Sequence, residues 1–231
     1  GGLPSSVSVY PGSAMILRRH LRPADRLVLS ELQPGEGDAL SCLFPKHPYH
    51  RRVYLHTPAD GYRVWKAHVP PLERRGLILC DPPYESDTEF ESVIKAYMAH
   101  VKRFQTGTVV IWYPIKSGRD TSEFVERMKQ VGVSKLLACE VLLRDPEIEP
   151  NRLNGSGLLI LNPPYLLKDD LDSYAKWLAG ALGDGKKWGA RGRCWWVTAD
   201  VHQKWEGVRD VEDKLEGGEE EEWVQDGSGV K

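Results

Sequence analysis

A chain of 231 residues, 41% of them hydrophobic, can bury a sizeable core and has room for one large α/β domain or two small ones. No apolar run approaches the length of a membrane span, and no charged start leads into an apolar stretch; a cytoplasmic protein without a membrane partner is expected. The net charge of −2 hides an asymmetry: Glu206 to Lys231 holds ten acids against three bases, which leaves +5 on residues 1–205. That body has basic clusters at Arg18-Arg19, Lys46 to Arg52, Arg74-Arg75, Lys102-Arg103 and Lys186 to Arg193, compatible with ordinary solvated surface or with a polyanion partner. Cys42, Cys80, Cys139 and Cys194 lie far apart and form no C-x-x-C pair, so reduced thiols and no metal site are expected.

In chain order, "RLVLSEL" reads as a strand and "PGEGDALSCLF" as a helix with Pro34 near its start. "RRVYLHT" follows as a second strand and "GYRVWKAH" as a short helix. "GLILCDPP" is a continuous apolar run, the pattern of a parallel strand buried on both faces. "DTEFESVIKAYMAHVKRF" reads as a helix capped by Asp87 or Thr88, with Phe90, Val93, Ile94, Tyr97, Met98 and Val101 on its inner face. "GTVVIWYP" is the next strand, then "DTSEFVERMKQVG" a helix closed by Gly132. "KLLACEVLL" and "SGLLILNPP" are further strands, "DLDSYAKWLAGAL" a last helix and "RCWWVTA" a possible edge strand. Strands alternating with helices predict a doubly wound α/β sheet in one domain over 1–205. The acidic, Gly-rich stretch 206–231 lacks apolar periodicity and is expected to be a disordered tail.

Two stretches nearly repeat: "LILCDPPYE" (Leu77–Glu85) and "LILNPPYLL" (Leu159–Leu167). An enzyme that methylates the exocyclic amine of a base needs an acceptor for the amine hydrogens and a flat surface for the extruded base. Asp/Asn-Pro-Pro-Tyr at a strand end has both: an acid or amide oxygen with the following carbonyl, and an aromatic ring; the prolines fix φ and remove competing N–H donors. The plain alternative is a strand-ending turn, since Pro-Pro commonly stops a strand. Chain order favours Asp81, Pro82, Pro83 and Tyr84 as the site. Three strand-like runs follow Asp81, as a methyltransferase sheet requires after its acceptor motif, and only one possible strand follows Asn162. Glu31 and Asp60 end the two preceding strands, where cofactor-binding carboxylates belong. Asn162 to Tyr165 is then a structural stop at an inner strand, with Tyr165 packed.

"YPGS" (Tyr10–Ser13), "LSELQP", "PADGY" (Pro58–Tyr62), "RRGLILCDPPYE", "KRFQTGTVVIWYP" and "GSGLLILNPP" occur in this order, and together they closely resemble the RlmJ family over roughly Tyr10 to Trp196. The resemblance implies a Rossmann-like class I methyltransferase sheet and methylation of N6 of an adenine in 23S ribosomal RNA, with S-adenosyl-L-methionine as cofactor. It implies that Glu31 accepts hydrogen bonds from the ribose hydroxyls, an acid being suited to that task. Asp60 and Gly61 would face the cofactor's adenine, Asp60 taking its amino group and Gly61 letting the backbone come close. Ser13 would also touch the cofactor. Asp81 would hold the target amine, next to the cofactor, and Tyr84 would stack on the flipped base. An Asn-Pro-Pro-aromatic that is not catalytic also belongs to the family pattern.

The family's first strand, with its Gly-rich loop for the methionine part of the cofactor, has no counterpart before Tyr10. "LGDGKKWGARG" follows a helix and is no substitute. A sheet lacking its first strand, in an N-terminally incomplete and monomeric chain, is therefore expected. Two other functions stay open: a DNA adenine-N6 methyltransferase with the same acceptor motif, and an RNA-binding remnant without catalysis.

Overall fold

The computed structural model describes residues 10–45, 52–86, 88–116, 118–148, 152–183 and 189–198. The tail at 206–231, Asp87, most of the Lys46 to Arg52 cluster and Lys186-Lys187 lie outside them. The chain divides into two compact units, Gly1–Val69 and Pro70–Lys231.

The first unit contains α1 (Ser13–His20), β1 (Leu27–Ser30), α2 (Pro34–Leu43), β2 (Val53–His56) and α3 (Gly61–His68). β1 and β2 pair in parallel, Leu27 opposite Val53 and Ser30 opposite His56. Leu27, Leu29 and Phe44 form the buried centre, and Ala14 and Leu17 of α1 pack against it with Leu40, Val53 and Leu55. Gly37 is buried where α2 crosses the residue after β2; a Cβ there would collide with the Thr57 side chain, so only glycine permits the approach.

The second unit contains β3 (Leu77–Cys80), α4 (Glu89–Arg103), β4 (Thr108–Ile115), α5 (Gly118–Gln130), β5 (Leu136–Leu142), β6 (Gly155–Leu161), α6 (Leu167–Leu182) and β7 (Arg191–Thr198). The sheet order is β3-β4-β6-β5-β7. β3 and β4 are parallel, while β6 runs antiparallel to both β4 and β5, and β7 antiparallel to β5. Strand residues alternate between faces. On one face Leu137, Cys139, Ile160 and Cys194 meet Ala175 of α6, with Val110 beside them. On the opposite face Tyr113 of β4 meets Phe124 of α5, with ring centroids 5.5 Å apart. Gly192 of β7 lies against the Ala175 backbone, where a Cβ has no space, and this brings α6 down onto the edge strand.

The strands and helices fall where the sequence pattern puts them, with three differences. α1 buries no residue of its own fully and was not anticipated. Thr88 occupies the N-cap position of α4, but its side chain makes no capping bond. β3 is not buried on both faces: Leu77 is 56% exposed and Ile78 and Leu79 are only partly covered. The physical reason is pairing, because among the described residues β3 pairs only with β4 and is an edge of its sheet. β1 likewise pairs only with β2 among the described residues. β7 forms the other edge of the five-stranded sheet, as expected. No helix among the described residues is long and apolar enough to cross a membrane.

Candidate active site

Register places the two Pro-Pro-Tyr stretches at opposite ends of the five-stranded sheet. Asn162 follows β6 and accepts, through its carbonyl, the Thr108 hydroxyl at 3.0 Å; Thr108 pairs with Leu77, the first residue of β3. Asp81 follows Cys80, the last residue of β3. At about 3.3 Å per residue, four residues of β3 separate the two levels by roughly 13 Å. Only Asp81 stands at the carboxyl ends of the parallel pair β3 and β4, the side on which open α/β sheets bind ligands.

Asp81 is exposed, and its carboxylate has no hydrogen-bond or ion-pair partner among the described residues. Its surroundings nevertheless desolvate the carboxyl enough to lift its pKa above the ordinary value. The Cys80 thiol beneath it is pushed up to about 12, by burial first and by the Asp81 charge second. Pro82 is partly covered and Pro83 exposed. Neither has an N–H to compete for the carboxylate.

Tyr84 departs from the expectation of an open platform. It is 7% exposed, its hydroxyl donates to the Trp112 carbonyl at 2.7 Å, and its ring meets Phe90 and Trp112 at centroid distances of 5.0 and 5.9 Å. Burial raises its pKa. The φ of 51° at Tyr84 turns the chain so that the ring points inward. The second tyrosine is reversed as well. Tyr165, expected to pack, is 93% exposed, so the two tyrosines exchange the environments that their motifs predict.

Asn162 behaves as the structural stop. Its side-chain amide donates to the carbonyls of Gln105 at 2.6 Å and Gly107 at 3.0 Å, and its backbone N–H donates to the Lys135 carbonyl at 3.0 Å. The amide thus ties the end of β6 to the loop that enters β4.

The four candidate cofactor residues of the first unit can be described among themselves. Glu31 follows β1, and its backbone binds both sides of the next turn: its N–H donates to the His56 carbonyl at 3.1 Å, and its carbonyl accepts the Ala59 N–H at 2.9 Å. These bonds bring Glu31 and Asp60 to the same end of the β1–β2 pair. One Glu31 carboxylate oxygen accepts the Gln33 N–H at 2.8 Å, and the other has no partner among the described residues. Asp60 caps α3, accepting the Tyr62 N–H at 2.8 Å, and its second oxygen lies 3.6 Å from the Arg63 guanidinium. At Gly61 a Cβ would meet nothing closer than Ser30 Oγ at 3.9 Å, so packing within the chain does not demand glycine there. Ser13 is the exposed first residue of α1.

Two neighbours of this group escaped the sequence reading. His56 ends β2 and His68 ends α3, and their Nε2 atoms lie 3.0 Å apart. Burial first, then the His56 and Arg26 charges, lowers the His68 pKa. The two Nε2 atoms are within hydrogen-bond distance, and the tautomers decide which ring donates. A histidine at each end of the "HTPADGYRVWKAH" segment was the available signal.

The family model for ribosomal RNA large subunit methyltransferase D, RlmJ, matches residues 4–197. The ribosomal RNA large subunit methyltransferase J of Escherichia coli (strain K12) is 35% identical over 173 residues, 75% of this chain and 60% of that protein. Its namesake in Haemophilus influenzae is 34% identical over the same shares. The chain thus spans about 60% of the length of these curated relatives. A crystal structure of a Legionella pneumophila protein superposes with a TM-score of 0.71 at 31% identity, covering 84% of this chain and 68% of that one. The α/β architecture is accordingly the Rossmann-like methyltransferase type.

Proposed function

The chain belongs to the ribosomal RNA large subunit methyltransferase D, RlmJ, family, and from that premise we propose that it methylates the N6 amine of an adenine in 23S ribosomal RNA. The observation that carries this reading is the Asp81 carboxylate, partner-free among the described residues, at the carboxyl end of β3 and followed by two prolines.

In this reading Asp81 accepts the hydrogens of the target amine and orients its lone pair for in-line attack. Positioning of that kind supplies much of the rate. Partial desolvation, which raises the Asp81 pKa, would strengthen its bond to an amine that becomes positive as it is methylated. S-adenosylmethionine, when bound, contributes a methyl group on a cationic sulfur. The acids of the first unit suit that cofactor: Glu31 has one carboxylate oxygen left for ribose hydroxyls, and the Ala59 N–H bonded to its carbonyl carries Asp60 and Gly61 to the same end of the β1–β2 pair. Ser13 joins them as a further contact. Tyr84, hydrogen-bonded to Trp112, props the turn that carries Asp81; stacking on the base requires its ring to leave Phe90.

The experiment is methyl transfer from radiolabelled S-adenosylmethionine to protein-free 23S ribosomal RNA and, in parallel, to duplex DNA, with calorimetry of cofactor binding. Transfer to RNA alone is expected. Preference for duplex DNA would move the chain to the DNA-methylating reading. Absence of binding heat together with salt-sensitive RNA binding would make it a non-catalytic RNA-binding protein.

A further inference from the structure

At the end of the sheet away from Asp81, the loop after β6, the start of α6 and the ends of β5 and β7 enclose a concavity of about 510 Å³. It is lined by Pro164, Tyr165 and Trp196 and by the side chains of Lys135, Lys168 and Asp169. Two features set it apart. Large aromatic rings are left in solvent, Tyr165 almost wholly and Trp196 in part, in a concavity also lined by Ser134, Pro163 and Leu166. The loop that presents Tyr165 is fixed at both ends by non-glycine residues of positive φ, Asn162 at 49° and Leu166 at 70°, and Asn162 is pinned by its bonds to Gln105 and Gly107. The Tyr165 ring thus stands outward on a loop whose two ends are conformationally fixed.

The lining charge is two lysines against one aspartate, with Lys168 and Asp169 3.8 Å apart. Exposed aromatic faces among cationic side chains suit an unpaired nucleotide, whose base stacks on the ring and whose phosphate meets an ammonium. The cavity volume lies in the range of small-molecule sites and admits one nucleobase.

We propose that this concavity is a second contact for single-stranded RNA, seating a base on Tyr165 and Trp196 with flanking phosphates on Lys135 and Lys168. It rests on the reading that the substrate is RNA. The base seated here is a different nucleotide from the one offered to Asp81, since the two sites lie at opposite ends of β3 and β4. The loop of the second Pro-Pro-Tyr stretch thereby acquires a substrate-holding role in place of a catalytic one.

The test uses the whole chain and a short fluorescein-labelled single-stranded RNA, with affinity read by anisotropy over a salt series. Tyr165→Ala, at a solvent-exposed position, should weaken binding about 5- to 100-fold with an unchanged salt slope. Lys135→Gln with Lys168→Gln should lower the slope of log affinity against log salt by about 1.4, the value for two phosphates on a single strand. Unchanged affinity and slope in both variants would overturn the proposal. So would a Tyr165→Ala variant whose only change is a smaller mass in sedimentation, because the patch would then join two copies of the chain. Methyl transfer is scored separately. Transfer without either binding effect sinks this inference and leaves the methylation reading standing, while the binding effects without transfer do the reverse.

Discussion

Asn162→Ala separates the two Pro-Pro-Tyr stretches most sharply, because the Asn162 amide is engaged in holding the loop that enters β4 while the proposed chemistry belongs to Asp81. The substitution removes two hydrogen bonds, to the carbonyls of Gln105 and Gly107. At a net 0.5–1.5 kcal/mol each, their loss amounts to about 1–3 kcal/mol. Asn162 also holds φ at 49°, a region that asparagine tolerates and that costs alanine about 1 kcal/mol more. The expected destabilisation is roughly 2–4 kcal/mol. For a chain of this size that lowers the unfolding midpoint by at least about 4 °C. Asn162→Gly loses the same bonds without the strain and should unfold about 1 kcal/mol later than the alanine variant. Denaturant unfolding followed by circular dichroism measures both, and methyl transfer is assayed well below the lower midpoint. A folded Asn162→Ala protein of unchanged stability would refute the hydrogen-bond argument, and one that stays folded but transfers no methyl group would reverse the choice of site.

Three other outcomes follow from particular side chains. His100, 1% exposed, has its pKa lowered to about 4 by burial, against about 6.5 when unfolded. The unfolded chain therefore binds the extra proton first, and stability that is complete above pH 6.5 drains away as pH falls towards 4; between pH 7 and pH 5 about 2 kcal/mol should go, and His100→Leu should flatten that slope. Glu140, 3% exposed, accepts the Tyr113 hydroxyl at 3.0 Å and the Arg193 guanidinium at 3.0 and 2.7 Å. Glu140→Ala strands the buried Tyr113 hydroxyl while Arg193 can turn to water, so unfolding should come about 2–3 kcal/mol earlier, and a loss under 0.5 kcal/mol would deny the network its role. For Asp81 the ionised form accepts the amine, so kcat/KM should rise with pH through an apparent pKa above the ordinary carboxylate value, and Asp81→Asn should abolish that rise.

The strands and helices of the chain were legible because apolar runs and 3.6-residue periodicity are local signals. α3, for example, begins at Gly61 and ends at His68 as its sequence pattern predicts. α1 was missed because "SAMILRRH" lends only Ala14 and Leu17 to a core made by other segments. β3 carries the apolar run of a central strand, yet its burial depends on a neighbour at each side, which its own residues cannot report. The same limit applies to the tyrosines. Nothing in Pro-Pro-Tyr says that one ring reaches the Trp112 carbonyl while the other is held out by a loop fixed at Asn162 and Leu166. Position at the sheet's carboxyl end was readable from chain order, because a parallel pair fixes which end each loop occupies.

The most direct test counts N6-methyladenosine by mass spectrometry in nucleosides from 23S ribosomal RNA incubated with the chain and S-adenosylmethionine. The modified nucleoside should form with the unsubstituted chain and with folded Asn162→Ala, and should vanish with Asp81→Ala while that variant still binds the cofactor. Undiminished N6-methyladenosine from Asp81→Ala would contradict the account at its centre.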